Sequence, residues 1–192
     1  MPGQTLDAEA VDVRVSRKEL EVLGPARLNG VPIRGRWVKE FGKDAQPGSV
    51  FDGNIELSQR FADAFGLNFP SGTISGQGRA TVQVAIKPDG QGADFSLSSD
   101  LRRIGLRADA LRWSKPEDTE GVLEVQGRLG SDPSIDRLLV SAPGLEAEGQ
   151  ILLEPGGGMT RAEFSRIRVG RWLDAQVALD PRGEGVPPSI TV

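Results

Sequence analysis

The sequence predicts an all-β protein, mainly an antiparallel meander, with one short helix. Three observations point there. Apolar and polar residues alternate with period two along most of the 192 residues, as in strands with one dry and one wet face. Proline, glycine and aspartate interrupt these runs about every ten to fifteen residues, which is meander spacing. The long helices that parallel strands need between them are missing from the pattern. Residues 1–192 read as one elongated unit, with N-terminal strands in 1–41, a polar connection at 42–49 and further strands from 50 onward.

Val11, Val13 and Val15 alternate with Asp12 and Arg14. Ile33, Gly35, Trp37 and Phe41 share a phase opposite to Arg34, Arg36 and Glu40, and Phe51, Gly53, Ile55 and Leu57 follow suit. Ser58 to Phe65 departs from this pattern. Ser58 is a good N-cap, Leu57, Phe61, Ala64 and Phe65 fall at helical spacing, and Gly66 suits a left-handed C-terminal residue. A two-turn helix near 58–66, its apolar side on the sheet, is expected. The longest alternation, Ile74, Gly76, Gly78, Ala80, Val82, Val84 and Ile86, reads as one strand. A turn at Pro88-Asp89-Gly90 then leads to Ala93, Phe95 and Leu97.

Ile104, Leu106 and Ala108 precede Leu111 and Trp113, and Leu123, Val125, Gly127 and Leu129 precede a break at Gly130–Pro133. Leu138 and Val140 run to Pro143-Gly144; Leu145, Ala147, Gly149, Ile151 and Leu153 run to the triple glycine 156–158, a loose hairpin turn. Phe164, Ile167 and Val169 lead to Leu173, Ala175, Val177 and Leu179. The stretch Pro188–Val192 reads as a strand cut off in mid-course, so the chain is expected to be a piece of a larger protein.

Composition removes much chemistry. There is no histidine, cysteine or tyrosine, hence no Ser-His or Cys-His nucleophile, no disulfide and no zinc site of the usual ligands. No cofactor, no metal and no enzymatic activity are expected. The acidic clusters Glu117-Asp118 with Glu120, and Glu146 with Glu148, read as solvated turn and strand surface. The net charge of −4 and a lack of aromatics among the arginines argue against nucleic acid. Arginines gather at 102–112 and 161–171; either they meet lipid phosphates, or they are a sheet exterior with acidic cross-strand partners, and the second reading weighs more.

Glycines recur in phase with the apolar residues, at Gly35, Gly53, Gly76, Gly78, Gly127 and Gly149. Each weakens its strand, so each implies a sheet that must bend, a body that comes close, or a bulge.

The segments Leu111-Arg112-Trp113-Ser114-Lys115-Pro116, Val122 to Leu129, Ser141 to Gly149 and Phe164 to Gly170, with the helix and Gly66-Leu67 upstream, resemble the AsmA-like region of large bacterial envelope proteins of the YhdP and TamB kind, a bridge-like lipid-transfer family. The resemblance covers roughly 50–192, and the acidic stretch Glu117 to Glu120 departs from it. It implies an elongated antiparallel sheet curled into an open apolar groove, in a periplasmic protein anchored in the inner membrane by another part of its chain. Phospholipid tails would slide along the groove between inner and outer membrane and so support outer-membrane biogenesis. No catalytic residues come with it.

The residues supply a lining for such a groove: Val82, Val84, Ile86, Phe95, Leu97, Leu123, Val125, Ile151, Leu153, Val177 and Leu179. Ordinary core packing is the alternative for each of them. The partners expected are phospholipid and, through exposed sheet edges, a further copy of the fragment. A β-sandwich adhesion or carbohydrate- or protein-binding module is the alternative to the lipid reading, and would carry clustered aromatics in its loops. A carboxylate hydrolase, supported only by the acid clusters, is a third.

Overall fold

In the computed structural model, residues 5–67, 69–70, 72–88, 90–155, 158–182 and 189–191 are described. The first half of the chain contains β1 (Leu6–Asp7), β2 (Asp12–Val15), β3 (Glu19–Leu28), β4 (Val31–Glu40), β5 (Ser49–Leu57) and the helix α1 (Gln59–Ala64). Then come β6 (Ile74–Gly76), β7 (Gly78–Ile86), β8 (Gly92–Ser99), β9 (Ile104–Ala108) and, after a 3₁₀ turn at Asp109–Leu111, β10 (Trp113–Lys115). The remainder is β11 (Val122–Gly130), β12 (Ser134–Ala142), β13 (Leu145–Leu153), β14 (Met159–Val169), β15 (Leu173–Asp180) and β16 (Ser189–Thr191).

The protein is mainly antiparallel β with one short helix, as its alternation predicts. Among the described residues thirteen strands form one sheet, in the order β1-β3-β4-β5-β7-β8-β11-β12-β13-β14-β15-β16 with β2 beside β3. The sheet is open: its outermost strands do not pair with each other. Turn chemistry explains the hairpins. Asn29 and Gly30 both adopt positive φ, 52° and 80°, between the paired Leu28 and Val31, the two-residue turn that matches strand twist. Pro143 and Gly144 (φ 79°) do the equivalent between Ala142 and Leu145. Of the expected turn at Pro88–Gly90, Asp89 lies outside the described residues, as do Gly156 and Gly157 of the glycine hairpin and Pro188 and Val192 of the terminal strand.

Two features differ from the sequence expectation. Ile74–Ile86 is two strands, because Gly76 turns to φ 75° and redirects the chain. Its first part, β6, joins β9 and β10 in a separate three-stranded sheet, order β10-β9-β6, so the meander is interrupted by a second layer.

That layer and α1 build the core. Val31, Ile55, Leu57, Ala80, Val82, Leu97 and Ile104 form a buried cluster, with Phe61, Ala64 and Phe65 of the helix region and Ile74 and Leu106 of the small sheet packed against it. Ser58 caps α1 by accepting the Phe61 amide at 3.4 Å, Gly66 follows at φ 69°, and the Phe61 and Phe65 rings meet tilted, with centroids 4.8 Å apart. The small sheet is tied down by Lys115, 2 % exposed, whose ammonium donates to the carbonyls of Leu101 (2.8 Å), Ile104 (2.7 Å) and Pro116 (3.1 Å). Three donors meet three acceptors, which is what makes a buried ammonium tolerable.

Candidate functional site

Strand register places the apolar residues of the large sheet in rows that cross it from one end to the other, since directly paired residues share a face. One row runs Val22, Trp37, Phe51, Val84, Phe95, Gly127, Ile135, Ile151, Ala162 and Leu179. The next runs Gly24, Gly35, Gly53, Val82, Leu97, Val125, Leu138, Gly149, Phe164 and Val177. A third contains Leu123, Val140, Ala147, Ile167 and Ala175.

All eleven residues proposed to line a groove lie on this one face, but they fall into two groups. Val82 and Leu97, each 9 % exposed, belong to the buried cluster, and Val84, Leu123 and Val125 pack against it. Phe95 and Ile86 are half-buried beside them. Ile151, Leu153, Val177 and Leu179 lie on β13 and β15, beyond the strands that the small sheet and helix cover, and are half-buried. No residue of β12–β16 contributes to the buried cluster. The same stretch holds apolar residues that the sequence reading left out of the lining: Ile135, Leu138, Val140, Phe164 and Ile167, all half-buried. Bulges between Ile135 and Leu138, and between Phe164 and Ile167, put them out of strict alternation. Of these only Ile135 is missing from the apolar runs read from the sequence, and a tolerance of one extra residue in β12 would have recovered it.

The total accessible surface agrees with incomplete closure: 12356 Å², against roughly 8,900 Å² for a compact monomer of 20.5 kDa. The edge strand β2 is bare, with Val13 57 % and Val15 73 % exposed.

The in-phase glycines are where rings and backbones crowd. A Cβ on Gly35 would stand 2.5 Å from Phe51 Cζ and closer to the Asp52 carbonyl; one on Gly53 would meet the same ring at 2.7 Å. Phe95 likewise stands 2.9 Å from the Cβ position of Gly127, and Phe164 3.0 Å from that of Gly149. Each phenylalanine thus lies over the glycine of the neighbouring strand. Gly127 and Gly149 also sit at register shifts, so bulge and ring clearance act together there.

The opposite face is polar and ion-paired. Arg166 and Arg168 both hold Asp174, at 2.7 and 3.3 Å; Arg168 also reaches Glu146 at 3.4 Å. Arg161 bridges Glu163 (2.7 Å) and Asp180 (3.1 Å), Arg128 pairs with Asp136 (3.2 Å), and Arg36 with Glu21. The hydrogen bond from Arg166 is the main reason that Asp174 is lowered to about 2. Arg128 lowers Asp136, and Gln150 followed by Arg161 lowers Glu163. Of the acidic clusters, Glu120 pairs with Arg102, Glu117 accepts from Ser75 Oγ at 2.8 Å, and Glu146 pairs with Arg168. Two concavities, of about 800 and 830 Å³, open on the polar side, the first around Arg137, Glu148 and Glu163, the second around Arg34, Asn54 and Arg79.

No protein-family model, curated protein or solved structure matches this chain.

Proposed function

We propose that the chain is a segment of an AsmA-like envelope protein whose apolar sheet face binds phospholipid acyl chains and conducts them through the periplasm between inner and outer membrane. The parent protein is then anchored in the inner membrane and supports outer-membrane biogenesis. One observation carries the reading: across β12–β15 the apolar rows continue in register beyond the main buried cluster, and apart from the buried Leu145, Ala147, Ala162 and Val169 their large apolar residues stay half-buried. A fatty tail needs such a strip and no polar partner, because each methylene fully removed from water contributes about 0.8 kcal/mol. The Arg–carboxylate pairs of the opposite face keep that side in water, so the two faces differ in what they can hold.

The sandwich reading needs two sheets of comparable size face to face and clustered loop aromatics. The partition of thirteen strands against three favours the lipid reading. Native mass spectrometry of protein purified from bacterial membrane extract tests it. Retained phospholipid that is lost in Val177→Lys and Leu179→Lys supports the assignment; lipid-free protein under conditions that preserve the fold refutes it.

A further inference from the structure

We infer that the end of the sheet formed by the β12–β13 and β14–β15 turns, with the segment entering β10, docks on the surface of an anionic lipid bilayer. The inference rests on the lipid reading for its partner and on independent geometry for its place. Three separate chain segments meet there. The Gly170 amide donates to the Gly144 carbonyl at 2.9 Å, which joins the two turns. Trp113 donates from Nε1 to the Pro143 carbonyl at 2.8 Å, and its ring stands 3.6 Å from the Cβ position of Gly144. The segment with Arg112 and Trp113 and the turn with Arg171 and Trp172 thus both abut the Pro143-Gly144 turn.

These four side chains have the chemistry of a headgroup layer. Trp172 is 63 % exposed, the most exposed aromatic ring among the described residues, and indole favours the boundary between headgroup and hydrocarbon. Within the two arginine-rich stretches, Arg102, Arg107, Arg161, Arg166 and Arg168 each hold a carboxylate. Arg112 and Arg171, like Arg103 elsewhere in the first stretch, are exposed and form no ion pair within 4 Å among the described residues, so their guanidinium forks are available for phosphate. The nearest carboxylates of these strands, Glu146 and Asp174, are already taken by Arg168 and Arg166.

Flotation with vesicles of phosphatidylcholine containing about one-third phosphatidylglycerol, with pure phosphatidylcholine as reference, tests the inference. The wild type is expected to float with the anionic vesicles, and its tryptophan emission to shift to shorter wavelength on binding. Arg112→Gln with Arg171→Gln should weaken binding about tenfold or more, and Trp172→Ala should remove the emission shift. Arg112→Gln with Arg171→Gln should still retain phospholipid in native mass spectrometry, so that loss of bound lipid and loss of docking are scored separately. The inference is overturned if the wild type does not float, or if Arg34→Gln with Arg79→Gln weakens flotation as much as the turn variants do.

Discussion

Lys115 is the residue whose environment is least expected from composition, because a buried lysine normally needs an acid and here has three backbone carbonyls. Burial pushes its ammonium below the ordinary lysine range, while Asp118, Asp100 and Glu117 oppose the shift from a distance. It holds the loop in which Leu101 and Arg103 adopt positive φ. Lys115→Met removes three hydrogen bonds to these carbonyls and is expected to cost about 2–4 kcal/mol, read as a lower denaturant midpoint. On the polar face, Asp174 supplies the pH dependence. Its folded value of about 2 lies below that of an unfolded aspartate, so its contribution is complete above about pH 4 and is lost as pH falls through the folded value. Asp136, Glu163 and Glu21 are shifted the same way and add to the same acid limb. A thermal-unfolding series from pH 7 to about pH 2 should show Tm falling toward acid, with a shallower fall in Asp174→Asn. Equal slopes would mean that the arginine ladder is energetically idle.

At the scale of elements, the three adjacent glycines of β3, β4 and β5 and the ring of Phe51 are one device. Gly24 pairs with Gly35, Gly35 with Gly53, and the ring occupies the space that a Cβ on Gly35 or Gly53 would need. Gly35→Val is therefore expected to destabilise by about 1–3 kcal/mol, and Phe51→Leu in the same chain to recover part of the loss, as measured by urea unfolding. The strands themselves were legible in the sequence because alternation is local: β7, β8, β11 and β13 follow the period-two runs closely, and Ser58 and Gly66 bracketed the helix. What stayed hidden was non-local. Nothing in the run Ile74–Ile86 announces that Gly76 adopts a positive φ, nor that its first three residues pair with β9 and leave the main sheet. The bulges at Asp136-Arg137 and Ser165-Arg166 were hidden for a related reason, since an extra residue looks like noise until the partner strand is known.

At the scale of the whole molecule, the distribution of cover decides function. The sequence reading treated the eleven proposed lining residues as equivalent, because each shows the same alternation. The fold separates them: Val82 and Leu97 are core beneath the small sheet and helix, whereas Ile151, Leu153, Val177 and Leu179 stand on the stretch without that cover. Any acyl chain is thus expected to lie along β12–β15 and to contact one side of each strand only. Photo-crosslinking along β15 reads this directly. A photoreactive residue placed in turn at Asp174, Ala175, Gln176, Val177, Ala178 and Leu179, in protein incubated with phospholipid, should label lipid from Ala175, Val177 and Leu179 and not from the three positions between. Labelling that is absent, or that ignores the two-residue period, would contradict the claim that this face carries lipid.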